Sequence, residues 1–187
     1  MQQKAARSLL AAIQAIVGWE WFMSGSNKVL SGTFPQGLAS AMSEGLKNNP
    51  NDWYASFLQR VIVPNSVFFG YLIQWSESLV GVVLLAGALL LLTSVRKPGE
   101  SQHGLFIAFE SAVIVAALIG VLQVVNFHFY VGGWVIPTFN PAKPFDEGID
   151  LEGLIPLFFL VIIVANTLLV REIRGEAKHP TAQIAAS

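Results

Sequence analysis

Four apolar stretches, at roughly 8–27, 66–94, 105–129 and 154–170, are each long enough as a helix to cross a hydrocarbon core of about 30 Å at about 1.5 Å per residue. Nothing else in the chain constrains its fold as strongly. In lipid every backbone polar group needs a partner within the chain, so each stretch reads as a helix, and helices that carry polar residues hide them against one another. The expected architecture is an all-α integral membrane four-helix bundle, with residues 1–187 forming a single transmembrane domain. Composition agrees: 53% of the residues are hydrophobic and only 12% charged, wrong for an ordinary soluble globule. The second stretch exceeds one perpendicular span and is expected to tilt, or to project beyond the bilayer beside Pro64 and Asn65. Lys4 and Arg7 ahead of the first stretch imitate a secretory signal, but the full span length, the glutamate within it and the lack of a small-residue cleavage site favour a retained helix.

Lysine and arginine set the expected orientation. Lys4, Arg7, Arg96, Lys97, Arg171, Arg174 and Lys178 fall on one side of the spans, and Lys28, Lys47, Arg60 and Lys143 on the other. The richer side is expected to be cytoplasmic, which places both termini there and the protein in the cell inner (plasma) membrane. The opposite side then holds two long extracytoplasmic loops, about 29–65 and 130–153. The second of these, with Pro137, Pro141 and Pro144, is expected to be ordered against the helices. A net charge of −1 offers no electrostatic footprint for nucleic acid, and the absence of cysteine excludes a disulfide relay, a thiolate metal site and an iron–sulfur cluster. His128 is the one histidine expected on or beside a span, so this chain alone is not expected to ligate a haem through two histidines, and no metal site is expected.

Charged and polar residues inside spans are the candidates for chemistry. Glu20 stands between Trp19 and Trp21 in "VGWEWFMSGSNK", roughly 20 Å along the helix from Arg7. A carboxylate at that depth costs at least about 2.5 kcal/mol unless it has a partner or a use. Gln14, Gly18, Trp21, Gly25 and Lys28 follow one helical face, with Glu20, Ser24 and Asn27 on the adjoining one. On the second span Gly70, Gln74, Glu77, Gly81 and Ala88 recur at helical spacing. These arcs are expected to face each other, with Glu20 pointing into the bundle. On the third span Glu110 and His128 share a face, with Gln123 and Asn126 nearly opposite. Glu110 reads as a snorkelling or capping residue near the cytoplasmic boundary. Trp19, Trp21, Trp53, Trp75, Trp134, Tyr54, Tyr71 and Tyr130 all fall toward the outer side, as an interfacial aromatic belt does. The segment "FHFYVGG" echoes "WEWFMSG", with His128 in the place of Glu20.

The first span with "GSNK" at its outer end, the run "DWYASFLQRVIVPNSVFF", the second span "WSESLVGVVLLAG" with Glu77, Gly81 and Gly87, and the glycine-rich "YVGGW" together resemble the DoxX and DoxD membrane proteins over most of the chain. The resemblance implies a membrane subunit of an oxidoreductase that passes electrons from thiosulfate, or another small reductant, to quinone. Quinone would be a substrate, and other protein subunits and the lipid membrane the partners. An apolar, aromatic-lined ring site needs ionisable groups for the quinone oxygens, and Glu20, Glu77 and His128 are the proton-handling candidates. Lys28 and Arg60 are the cations nearest the outer span ends for a dianionic reductant, and Trp21 and Trp75 the candidate walls. The alternative is a non-catalytic accessory subunit of a larger respiratory or photosynthetic complex, in which the same polar groups are merely paired.

Overall fold

A computed structural model describes residues 2–93, 103–130 and 151–178 of the chain, and among them the fold is all-helical. In chain order α1 spans Gln2–Ser31, α2 Phe34–Gly45, α3 Asp52–Phe57, α4 Ser66–Thr93, α5 His103–Tyr130 and α6 Leu151–Lys178. Three helical segments are long and apolar enough to cross a membrane: Asp52–Thr93, Gly104–Tyr130 and Leu154–Gly175. The helix α1, 30 residues long, is not among them, because Gln14, Glu20 and the two indoles beside that glutamate dilute its apolar content. This departs from the four equivalent spans expected above. The second loop, 130–153, lies almost wholly outside the described residues, and Trp134 with it.

Each long helix lies against two others: α1 against α4 and α6, and α5 against α4 and α6. The α1–α4 contact is the most intimate, and glycines make it so. A Cβ on Gly18 would meet Leu84 and the backbone of Gly81, one on Gly25 would strike the backbone of Glu77 and Ser78, and one on Gly81 would strike the backbone of Phe22. Rising along α1 descends α4, so the two run antiparallel with their backbones in contact, the close approach that small residues permit between helices. The small and polar arcs expected on these helices are the faces that meet: Gln14, Gly18, Trp21 and Gly25 are buried on α1, and Gly70, Gln74, Gly81 and Ala88 on α4.

The first long connection is not a loop. Gly32, at φ +67°, ends α1 in the left-handed region that glycine enters without strain. The chain then turns back as α2, whose buried Pro35 sits against Gly70 of α4. After α3 a π turn at Leu58–Ile62 and a 3-10 turn at Val63–Asn65 lead without interruption into α4. Leu46, Tyr54, Leu58 and Ile62 form a separate apolar cap against Phe69, Phe129 and Tyr130. The cap is pinned to the end of α5: the Tyr54 hydroxyl approaches the Asn126 backbone oxygen at 3.1 Å and its Oδ1 at 2.9 Å, and Asn49 Nδ2 donates to the carbonyls of Phe129 and Tyr130, both at 2.8 Å. Tyr54→Phe removes one of these two pins without removing the ring. It is expected to cost about 1 kcal/mol, read as faster amide exchange over residues 46–62 with exchange in α4 unchanged.

Candidate functional site

Glu77 is paired across the α1–α4 seam. Its Oε2 lies 2.5 Å from Lys28 Nζ and accepts from Ser24 Oγ at 3.1 Å, while Lys28 also donates to Ser24 Oγ at 2.7 Å. The three side chains close a triangle between the end of α1 and α4. Gly25 builds this geometry, because the backbones meet there, and Ser24 beside it and Lys28 about one turn beyond it reach Glu77. With side-chain exposures of 24% for Lys28 and 14% for Glu77, the pair is largely withdrawn from solvent, where breaking it costs more than at a surface. Lys28 Nζ also stands 5.5 Å from the centre of the Phe34 ring, within cation–π range. Lys28 and Phe34 line an open cleft of about 430 Å³, together with Asn27, Ser31 and Thr33, where α1 gives way to α2.

Other candidates fall elsewhere. Glu20 is exposed on α1 rather than turned into the interior. The reason is angular: the buried face is fixed by Gly18, Trp21 and Gly25 against α4, and Glu20, two residues from Gly18 at about 100° per residue, points away from it. Trp21 is 7% exposed and packs edge-on against Phe159 of α6 with ring centres 5.1 Å apart, so it belongs to the core. Trp75 is 52% exposed and, like Trp19 and Trp53, fits an interfacial belt better than a site wall. Arg60 is exposed on the π turn, away from the residues that line the cleft. His128 is buried, with Nδ1 3.0 Å from the Val124 carbonyl oxygen of its own helix. The echo between "WEWFMSG" and "FHFYVGG" therefore has no structural counterpart at its ionisable position, since Glu20 is exposed and His128 buried.

On α5 the expected division into two faces needs revision. Gln123 Nε2 hydrogen-bonds Ser76 Oγ of α4 and so lies in the α4–α5 seam, and Asn126, although exposed, holds Tyr54. Glu110 is fully buried at 0% exposure, which overturns the snorkelling or capping role. The helix α5 also begins at His103, so a second histidine position lies on it. Among the described residues no group of three His, Asp or Glu side chains is placed to hold a metal ion. Sequence reasoning missed Ser24 and Phe34 as neighbours of Lys28. Ser24 was legible, one helical turn before Lys28 on α1; Phe34 was not, because only the reversal at Gly32 brings it back.

Comparison of the chain with protein-family models, characterised proteins and solved structures gave no match.

Proposed function

We propose that the chain is a four-helix integral membrane subunit, similar to the DoxX and DoxD proteins, that serves electron transfer from thiosulfate or another small reductant to quinone, with the quinone ring held in the cleft beside Lys28. The observation that carries this reading is the Lys28 ammonium: it faces an open, partly aromatic cleft and is backed by a carboxylate and a hydroxyl. Reduction of a quinone to its quinol takes two electrons and two protons, and joining two thiosulfates into tetrathionate releases two electrons. The chain has no cysteine for an iron–sulfur cluster, so the electrons pass directly between the substrates or through another subunit. What these residues supply is proton handling. Lys28 donates a hydrogen bond to a quinone oxygen and passes it a proton as charge develops there, Glu77 balances the ammonium, and Ser24 bridges the two. Phe34 offers a face for the ring.

In membranes holding the full chain and its partner subunits, Lys28→Gln and Glu77→Gln are each expected to lower thiosulfate-dependent quinone reduction by about 10²-fold or more. Glu20→Gln, on the exposed face, is expected to leave it within about twofold. The Lys28→Gln/Glu77→Gln double variant keeps an amide–amide hydrogen bond and so controls for folding. One observation favours the accessory reading: Glu77 is already neutralised within the chain, which is all that a structural pair requires. Normal quinone reduction by an assembled double variant would establish that reading and remove this one.

A further inference from the structure

A polar layer crosses the protein interior between two apolar clusters. One cluster contains Leu10, Leu91, Phe106 and Leu169, and the other Val17, Leu84, Val113 and Ile162. Between them, at helical spacing on α1, α5 and α6, stand Gln14, Glu110 and Asn166, each 0% exposed. The fourth helix contributes Gly87, where a Cβ would meet both Gln14 Oε1 and Val113 Cγ2. Three helices thus spend a fully buried position on a polar side chain, and the fourth makes room with a glycine.

Their hydrogen bonding is incomplete in a specific way. Asn166 Nδ2 donates to the Ile162 carbonyl at 2.8 Å, which fixes the amide, while its Oδ1 has no hydrogen-bond partner among the described residues. Nor have Gln14 Oε1 and Nε2, nor either oxygen of Glu110. Arg7, half-buried two turns before Gln14 on α1, acts on Glu110 electrostatically but donates no hydrogen bond to it. From α4 and α6 the positions flanking the layer are Leu84, Ala88, Leu91, Ile162 and Leu169, none of them titratable. An isolated carboxylate in such surroundings is far too costly to stand uncompensated.

We propose that Gln14, Glu110 and Asn166 form an internal site for a monovalent cation, a proton or a sodium ion, held by the Glu110 carboxyl group and the two amide oxygens. The donor and acceptor inventory fits. With Glu110 ionised, the layer has four acceptor oxygens against three free hydrogens, two on the Gln14 amide and one on the Asn166 amide; a proton on Glu110 supplies the missing donor. A sodium ion instead takes the oxygens directly, as a hard cation prefers. The site is separate from the Lys28 cleft, since Val17, Trp21 and Leu84 lie between them, so its fate does not depend on the quinone reading.

A hydrophobic carbodiimide tests this on the full chain in detergent, because it couples to a carboxylic acid only in the protonated form and in apolar surroundings. Peptide mapping by mass spectrometry between about pH 6 and about pH 9 is expected to show Glu110 modified, with modification falling as the pH rises, because only the protonated acid couples. Glu110→Gln removes the modified peptide. At fixed pH, protection by sodium chloride but not choline chloride assigns sodium as the occupant, and equal modification in both salts assigns the proton. A Gln14→Leu/Asn166→Leu variant is expected to shift the pH profile, or to abolish the sodium protection, while Glu110 remains the modified residue. Failure to modify Glu110 anywhere in that pH range overturns the proposal. Reactivity that appears only in Arg7→Gln also overturns it, by assigning Glu110 to an ion pair with Arg7.

Discussion

Gly81→Leu is expected to separate α1 from α4. The added side chain begins where the Phe22 backbone already stands, and a backbone, unlike the end of a flexible side chain, has no rotamer in which to yield. Overpacking in a core ordinarily costs about 1–3 kcal/mol and more when the backbone must move, so a loss of about 3 kcal/mol or more is expected. Gly25→Leu should match it, because its Cβ would meet the Ser78 and Glu77 backbone and would also pull Lys28 off Glu77. Denaturant unfolding in mixed micelles measures both. Gly37→Ala, where nothing lies within 4 Å, serves as the opposite case: a helical alanine in open space is expected to stabilise by about 0.5–1 kcal/mol. Equal effects at all three glycines would show that helix propensity, not backbone contact, decides their presence.

The second large effect belongs to the Lys28–Glu77 pair. Removing one member leaves the other charge with little water, and the cost for such pairs is about 3–5 kcal/mol. Glu77→Leu and Lys28→Met are each expected to approach that loss. The double variant is expected to recover most of it, since two apolar side chains of similar volume need no partner there. The coupling between the substitutions, read from a double-mutant cycle in the same micelles, is the quantity that matters. Additive losses would mean that the two side chains stabilise the helices independently, and the short contact between them would then carry no stability of its own.

These expectations rest on faces that are partly written in the sequence. Gln14, Gly18, Trp21 and Gly25 on α1, and Gly70, Gln74, Gly81 and Ala88 on α4, are legible as interface arcs from their spacing alone. Both helices mix small and polar residues with large apolar ones, so a periodic stripe stands out in each. The partner of Glu77 is half legible in the same way. Lys28 extends the α1 arc and Glu77 lies within the α4 arc, and antiparallel packing of the two brings them to one level. Glu20 misleads because a charge flanked by two tryptophans suggests a buried site, whereas the glycines decide which side of α1 meets α4.

What the sequence does not specify is the rotation of α5 and the path of the first connection. The polar residues of α5, Glu110 and His128 against Gln123 and Asn126, fall on nearly opposite sides, so no side of it is marked as inward, and Glu110 can be assigned only a depth, not a direction. Only the packing of Phe106, Val113 and Gly120 against their neighbours turns Glu110 to the interior, beside the layer that holds Gln14 and Asn166. Likewise residues 33–65 carry the composition of a connection, and their helices form because Pro35, Tyr54 and Leu58 find apolar cover on α4 and α5. Hydropathy marks which segments are able to leave water, because that property belongs to each segment alone. Which side chains then meet depends on where backbones come close enough to touch, and that is a property of pairs of helices that no single helix encodes.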